Sequence, residues 1–492
     1  MAGELTIGID VGTTSVKAGV MDQNGQTLDY FSQPYLTKRF DGVRVEQNPH
    51  DWIGAIDSAL MQFAPLISNV AAIGLCSQVN THVFVDQNGM ALEPAIVWQD
   101  GRAHAEAAEL DAEISEAQRI AWWGAPMPID ASHALSRMLW VARNRPDVWE
   151  QTAWVMLPKD FCIYKLTGEV STDALSNVGL VDQHLRYIPE VLELVPGSAE
   201  KLGPIQGITS IVGHVSNGPA KGVPVANCTL DGWTGLIGCG NSAKGTTSYI
   251  SGTSEILGIN ARTVTPTPGV IVFPECEGIR IHAGPTQAGG AAKLWFCRLT
   301  GQNPEDMAAS VASSDFNRPA PIFLPHLQGE RAPIWKAHAR GLFLGLDQET
   351  NQADLARSVY EGVAFSVRML LSALEQSSNT QNELITVGGG GFQSDIWNKI
   401  RANILGRQLR RIAVKDPGIL GAAGIAACAA GLYSSLSDAF SQISVFDAHY
   451  EPDFSVKESY DALYSVYVRA IEANEELNKA FLSVREMSTK EA

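Results

Sequence analysis

Asp10, Gly12, Thr13, Thr14 and Ser15 put a carboxylate, a glycine and three hydroxyl side chains into one short stretch between two apolar runs. Leu5 to Ile9 and Val16 to Met21 predict neighbouring strands, so the residues between them form a tight turn whose N–H groups and hydroxyls can face an anion. Gly12 lets the main chain approach closely, and Asp10 can hold a hydrated magnesium ion, which takes only one or two carboxylates. A second turn of this kind, Gly252-Thr253-Ser254, stands between a Thr-rich strand ending at Ser251 and another from Glu255 to Asn260, about 240 residues later. Gly388, Gly389, Gly390 and Gly391 follow the short apolar strand Leu384 to Val387; as the opening of a helix they would let a nucleotide lie against bare backbone. Gln78, Val79, Asn80 and Thr81 come just after a buried strand from Val70 to Cys76, where open α/β sheets place ligand contacts.

The elements that must position these residues follow from pattern. Asp22-Gln-Asn-Gly25 is a hairpin signal leading to a third strand, Gln26 to about Ser32, which makes an antiparallel meander at the start of an α/β domain. Pro49, Asp51 and Trp52 open a helix running to about Phe63. Val83 to Gly89 reads as a further hairpin, and Ala95 to Trp98 leads into Gln99-Asp100-Gly101-Arg102. Residues 103 to 168 are mostly helical in pattern, with Trp122, Trp123, Trp140, Trp149 and Trp154 as a stack of core rings. The return of a Gly-Thr-Ser hairpin suggests a duplicated domain with a cleft between the copies. Thr350 to about Leu371 predicts a helix, because Leu355, Val359, Val363 and Val367 share one face and Asn351 and Asp354 suit its first turn. Ile419 to Cys428 is a small-residue helix able to pack very close to a neighbour, and the chain after Tyr450 reads as a peripheral helix.

Composition limits the functions available. A chain of 492 residues is too long for one core. Its 45% hydrophobic and 18% charged content is that of a soluble globular protein, and its net charge of −17 argues against nucleic acid as a partner. Seven scattered cysteines without Cys-x-x-Cys spacing argue against a zinc site or a disulfide framework and for a cytoplasmic setting. The N-terminal residues carry no export pattern, and no apolar run reaches the 18 residues of a membrane span. His82, His133 and His326 read as structural, with no metal constellation around them.

Taken together, the motifs resemble the FGGY family of carbohydrate kinases, from about Ile7 to Gly431. Gly341-Leu-Phe-Leu-Gly345-Leu346, followed after seven residues by Asp354 to Glu361, is similar to the family's second signature. Phe323-Leu-Pro-His-Leu-Gln-Gly329-Glu330-Arg331-Ala-Pro333 looks like the segment before that signature in xylulose and gluconate kinases. Ser132 to Asn144 looks like the first signature, with Arg137 where Lys is common.

The resemblance implies an α/β fold of two ribonuclease-H-like, actin-type ATPase domains with an inter-domain cleft. Residues 1–243 would carry the sugar site, the first phosphate hairpin and the catalytic Asp, and residues 244–492 would bind ATP. It further implies Asp231 as the general base that takes the proton of a sugar hydroxyl. Gly12, Thr13, Thr14, Gly252 and Thr253 become the phosphate hairpins, Gly389, Gly390 and Gly391 the adenosine loop, and Asp10 the magnesium-associated carboxylate. Gln78, Val79 and Asn80 stand where sugar is bound, with Asn80 in place of the usual His or Glu. Trp98 would lay its ring against the sugar's C–H side, and Asp100 and Arg102 would either take a terminal hydroxyl or pair with each other. The expected reaction is Mg-ATP-dependent phosphorylation of a ketopentose such as xylulose. Gluconate, another pentulose and a polyol are the alternatives, and an actin-fold chaperone-like ATPase or an inactive sugar sensor are readings of another class. A small-molecule sugar is the expected partner, without nucleic acid or membrane; a homodimer stays open.

Overall fold

The computed structural model describes residues 3–490. By internal contacts the chain divides into two compact units, one of residues 1–244, 272–281 and 416–445, the other of residues 245–271, 282–415 and 446–492.

The first unit is built on a six-stranded sheet. Leu5–Val11, Ser15–Met21 and Thr27–Pro34 form the meander expected from the two turn signals, pairing antiparallel in sequence. Val70–Ser77 joins Leu5–Val11 in parallel, Pro224–Ala226 pairs parallel with Val70–Ser77, and Ile211–His214 closes the edge. One face is covered by helices Pro49–Gln62 and Pro158–Thr167, with Trp52, Ile56 and Phe161 fully buried. Helix Pro417–Ala429 lies against Leu5–Val11, Val70–Ser77 and helix Asp231–Gly238.

Glycine makes that last packing possible. A Cβ on Gly8 would stand 2.1 Å from the Ile419 carbonyl oxygen, one on Gly74 2.2 Å from that of Ala422, and one on Gly238 2.0 Å from that of Pro417. Only bare backbone lets the helix come this near, as the small residues from Ile419 to Cys428 predict. A division of the chain at 243/244 therefore separates this helix from the sheet on which it packs.

The second unit holds a seven-stranded sheet whose central order is Ile281–Pro285, Glu255–Asn260, Thr247–Ser251, Leu384–Gly388, Gln408–Ile412, Phe446–Tyr450. As in the first unit, an antiparallel hairpin, Thr247–Ser251 with Glu255–Asn260, continues into parallel pairing, here with Leu384–Gly388. The long helix Gln352–Ser378 starts with a reciprocal cap: Asn351 accepts from the Asp354 N–H and Asp354 from the Asn351 N–H, both at 3.2 Å. It outruns the expected Leu371 by seven residues because Leu374, Ser377 and Ser378 continue its buried face.

Three expectations are corrected. Among the five tryptophans of residues 103–168 only Trp123 is buried; the others are half-buried, and Trp140 and Trp149 lie beneath the cations of Arg102 and Lys201. Gly388 to Gly391 do not open a helix directly: Gly390–Gln393 is a single 3₁₀ turn, and the helix Asp395–Leu405 begins after Ser394. Helix Lys457–Ala473 is not peripheral, since its Tyr460 and Tyr467 are buried and the Tyr460 hydroxyl donates to Glu361 at 2.9 Å. No helix among the described residues is long and apolar enough to cross a membrane.

Candidate functional site

In the first unit the strand ends of the sheet bring most of the expected residues together. Asp10 is the next-to-last residue of Leu5–Val11, and the turn after it is closed by the Gly12 N–H on the Ser15 carbonyl at 3.1 Å. The turn is braced by side chains from elsewhere. The Tyr35 hydroxyl donates to the Gly12 carbonyl, Gln47 donates to the Thr13 carbonyl at 2.7 Å, and the Trp98 indole N–H donates to the Thr13 hydroxyl at 2.9 Å. Trp98 thus joins the turn edge-on through its N–H.

Gln78 enters the same network. Its N–H donates to the Val11 carbonyl at 3.0 Å, and its side-chain amide donates to Gln47 Oε1 at 2.8 Å. The side chain is buried, yet its Oε1 finds no hydrogen-bond partner among the described residues. An orphaned buried acceptor is costly unless something donates to it, which suits a ligand hydroxyl. Asn80 takes another course: its backbone sits at φ 56° and its amide donates to Ser132 Oγ at 3.1 Å. Val79 is half-buried between the two.

Asp231 opens helix Asp231–Gly238, and its Oδ1 accepts from the Gly232 N–H at 2.8 Å. Leu230 pairs in parallel with Ser77, so Asp231 and Gln78 leave adjacent chain ends side by side. The charges of Asp10 and Asp231 both act on Tyr35 and Cys76. Burial first, and then these two charges, push the Tyr35 phenol and the Cys76 thiol well above their ordinary values.

Asp10 itself is pushed up to about 6, chiefly by burial and further by Asp416, against the pull of Lys17 and the Cys76 thiol. Lys17 is paired with Asp416, which also accepts from the Tyr30 hydroxyl at 2.9 Å. Asp416 and Gly418 stand at the start of helix Pro417–Ala429, and a Cβ on Gly418 would come to 3.3 Å from Asp10 Oδ2. A half-buried carboxyl with a second carboxylate, Asp416, and Lys17 nearby is a donor that fits a hydrated divalent cation, since such an ion needs one or two protein carboxylates and otherwise waters and phosphate oxygens. No group of three or more His, Cys, Asp or Glu able to hold a metal by themselves occurs among the described residues.

Asp100 and Arg102 pair with each other. Arg102 makes a bidentate contact to Asp100, at 2.9 and 2.7 Å, and a third to Glu46 at 2.7 Å, with all three side chains largely shielded from water. The arginine charge is already met twice over.

Arg137, from the first signature, organises these loops from below. Its side chain is fully buried and donates to the main-chain carbonyls of Ile96 at 2.7 Å, Val97 at 2.6 Å, Ala131 at 3.3 Å and Asp100 at 3.4 Å, and to that of Asn80. One guanidinium therefore ties the Gln78 loop to the Trp98 loop. Sequence reasoning missed Lys17, two residues beyond the turn in its own hairpin, and Tyr35, Gln47 and Asp416, which come from separate segments without motif or period. It also missed a buried ion cluster: Lys159 Nζ lies 2.6 Å from Asp160 and 2.9 Å from Asp173, with no solvent reaching the ammonium. Burial pulls the Lys159 pKa down, but the two aspartates more than offset it and keep the group charged.

The second unit carries the other expected residues. Gly252 and Thr253 are exposed at the tip of the hairpin, closed by the Gly252 N–H on the Ser254 carbonyl at 2.9 Å. Gly389 has φ 92°, and a Cβ on Gly391 would overlap Ser251 Oγ at 1.8 Å, so this loop needs glycine to lie against the hairpin strand; Gly390 between them faces open space. Arg401, buried under Trp397 at 3.8 Å and Phe392 at 4.4 Å, donates to the Gly391 carbonyl at 2.9 Å and to Ser251 Oγ at 2.8 Å. It locks the glycine loop and the hairpin to one another. By contrast Glu361, the last residue of the second signature, is held by Arg357 at 2.7 Å and by Tyr460 inside the core. Glu361 thus has a structural role.

Comparison with known proteins identifies the family and the fold. Residues 5–238 match the FGGY family of carbohydrate kinases, N-terminal domain, and residues 248–430 match its C-terminal domain. The chain is 26% identical to a xylulose kinase of Staphylococcus epidermidis, over 98% of this chain and 100% of that one, and 28% identical to a xylulose kinase of Escherichia coli, over 90% and 94%. The crystal structure of a ligand-bound xylulose kinase from Lactobacillus acidophilus shares the fold at a TM-score of 0.89, with 24% identity over 97% of this chain and 99% of that one. Two matched domains that together span most of the sequence, on a fold with the expected paired hairpins, place this chain in the FGGY family of carbohydrate kinases.

Proposed function

We propose that this kinase phosphorylates a ketopentose, with xylulose the foremost candidate, using magnesium-ATP as donor and Asp231 as general base. The observation that carries the reading is the pairing of Ser77 with Leu230, which makes Gln78, with its orphaned acceptor, and Asp231 the next residues on adjacent chain ends. A sugar hydroxyl donating to Gln78 Oε1 would hold the ring or chain while a neighbouring hydroxyl gives its proton to Asp231. The freed oxygen then attacks the γ-phosphorus in line, the new O–P bond forming as the bond to the β-phosphate oxygen breaks. Catalysis of this kind rests on positioning and charge neutralisation, so an ordinary carboxylate suffices as base.

Gly12, Thr13 and Thr14, with Gly252 and Thr253, are proposed to hold phosphate, and Gly389, Gly390 and Gly391 the adenosine side. Asp10 is proposed to orient magnesium, which neutralises charge on the donor phosphates when bound. A neutral sugar is favoured over gluconate because Arg102 is already matched by Asp100 and Glu46 and offers no spare charge to a substrate carboxylate. The xylulose kinase relatives support the same choice. The seven free cysteines, six of them buried, support a cytoplasmic setting.

A coupled ADP-release assay with magnesium and ATP across D- and L-pentuloses, polyols and gluconate tests the reading. The expected result is a strong response to one pentulose, with Asp231→Asn lowering turnover by on the order of 10³-fold or more while ATP binding persists. Near-normal turnover by Asp231→Asn, or a response confined to gluconate, overturns it.

A further inference from the structure

We infer that Thr229 is a positioning residue for phosphoryl transfer, its hydroxyl fixing the main chain that presents Asp231 by donating to Asp173 in the buried ion cluster. The inference rests on the reading of Asp231 as the base.

The chain approaches Asp231 through a conformation that side-chain-bearing residues avoid. Cys228 is buried with φ 51°, in the left-handed region, and it precedes Thr229 directly. Such a residue persists only where surrounding contacts overdetermine it. Upstream, Asn227 donates to the Thr172 and Gln206 carbonyls at 2.9 and 3.1 Å, and the Cys228 N–H donates to the Ile208 carbonyl at 2.9 Å. Downstream of the strained residue, the fully buried Thr229 hydroxyl donates to Asp173 Oδ1 at 2.6 Å.

Asp173 is itself held from two sides. Its Oδ1 also accepts from the Ser176 N–H at 2.9 Å, and its Oδ2 lies 2.9 Å from Lys159 Nζ. Lys159 closes the circuit, because its backbone N–H donates to Ser77 Oγ at 3.1 Å, and Ser77 is the residue that pairs with Leu230. The same cluster therefore grips both chain ends just before they deliver Gln78 and Asp231. A small displacement of the base relative to the hydroxyl it serves costs rate out of proportion to its size. Lys159, Asp160, Asp173 and Thr229 are all buried, so the cluster acts through Asp231.

The test uses the full chain. Thr229→Val keeps the volume and removes only the hydroxyl, and Thr229→Ser keeps the hydroxyl. Thr229→Val is expected to lower kcat on the order of 10- to 100-fold, with the KM values for pentulose and ATP within about twofold of wild type, and Thr229→Ser to recover most of the loss. In an Asp231→Asn background, Thr229→Val should cause no further loss. Thr229→Ala repeats the comparison if the valine variant does not fold. A folded Thr229→Val or Thr229→Ala enzyme with wild-type kcat, while Asp231→Asn is inactive, overturns this inference alone. Equal losses in Thr229→Val and Thr229→Ser overturn it as well, since the hydroxyl would not be what matters. An active Asp231→Asn enzyme overturns the base assignment, and this inference with it.

Discussion

Arg137 is a guanidinium in a fully buried position that is answered by main-chain oxygens. Burial pulls its pKa down to about 10, with Asp100 and Asp130 opposing, so it stays charged at neutral pH. Replacing it by methionine takes the guanidinium away from the carbonyls of Asn80, Ala131 and Asp100, whereas those of Ile96 and Val97 keep the N–H groups of His82 and Asp100 at 3.0 and 2.8 Å. Unpaired buried polar groups cost about 1–3 kcal/mol each, so Arg137→Met should lose at least about 3 kcal/mol, read as a fall in the urea midpoint. Arg137→Lys should recover part of this, because an ammonium keeps the charge but lacks the planar fork that spans several acceptors. An Arg137→Met protein with an unchanged midpoint would show that water or repacking satisfies those carbonyls.

At the scale of the elements, the approach of helix Pro417–Ala429 to helix Asp231–Gly238 is the most sensitive contact near the base. A Cβ on Gly421 would stand 2.0 Å from the Thr234 carbonyl oxygen, so Gly421→Ala must push the two helices apart. The expected cost is about 1–3 kcal/mol, together with reduced turnover, because the displaced helix begins at Asp231. Gly54 is the opposite case: it is exposed in the middle of helix Pro49–Gln62 with nothing within 4 Å of its added Cβ, and Gly54→Ala should stabilise by about 0.5–1 kcal/mol. Thermal melts of the two variants should move in opposite directions.

These elements were largely legible in the sequence. Apolar runs with Gly and Asn-Gly punctuation disclose the meander and both hairpins, and Asn351 with Asp354 discloses the start of the long helix. What escaped notice lacks any local signature. Lys159 and Asp173 are 14 positions apart and meet only because helix Pro158–Thr167 and the loop after it fold back on Ser77 and Thr229. Tyr35, just after strand Thr27–Pro34, and Gln47, at the end of strand Arg44–Gln47, likewise reach Gly12 and Thr13 from separate segments. The tryptophans differ for a related reason: residue type predicts burial on average, but Trp140 and Trp149 stay half-buried with a cation lying over each ring.

For the molecule as a whole, the division of the chain matters more than its length. The first unit takes residues 1–244 and then needs 416–445 to cover the glycine-lined face of its sheet, where Ile419, Leu420, Ala422 and Ile425 are all buried. A fragment ending at Lys244 should therefore unfold without a cooperative transition, and fusing residues 416–445 to it should restore one; calorimetry of both fragments decides. Cooperative melting of the short fragment alone would mean that the helix is dispensable.

The same return of the chain sets a timetable during synthesis. A ribosome making 5–20 residues per second takes on the order of 10 to 30 s to pass from Lys244 to Asp416. Through that interval the nascent first unit has its strands but not the helix that covers Gly8 and Gly74, so an apolar surface stands open to other chains. The unit whose translation begins first waits until residue 445 for its last segment, and any factor that shields nascent chains would find a long occupancy there.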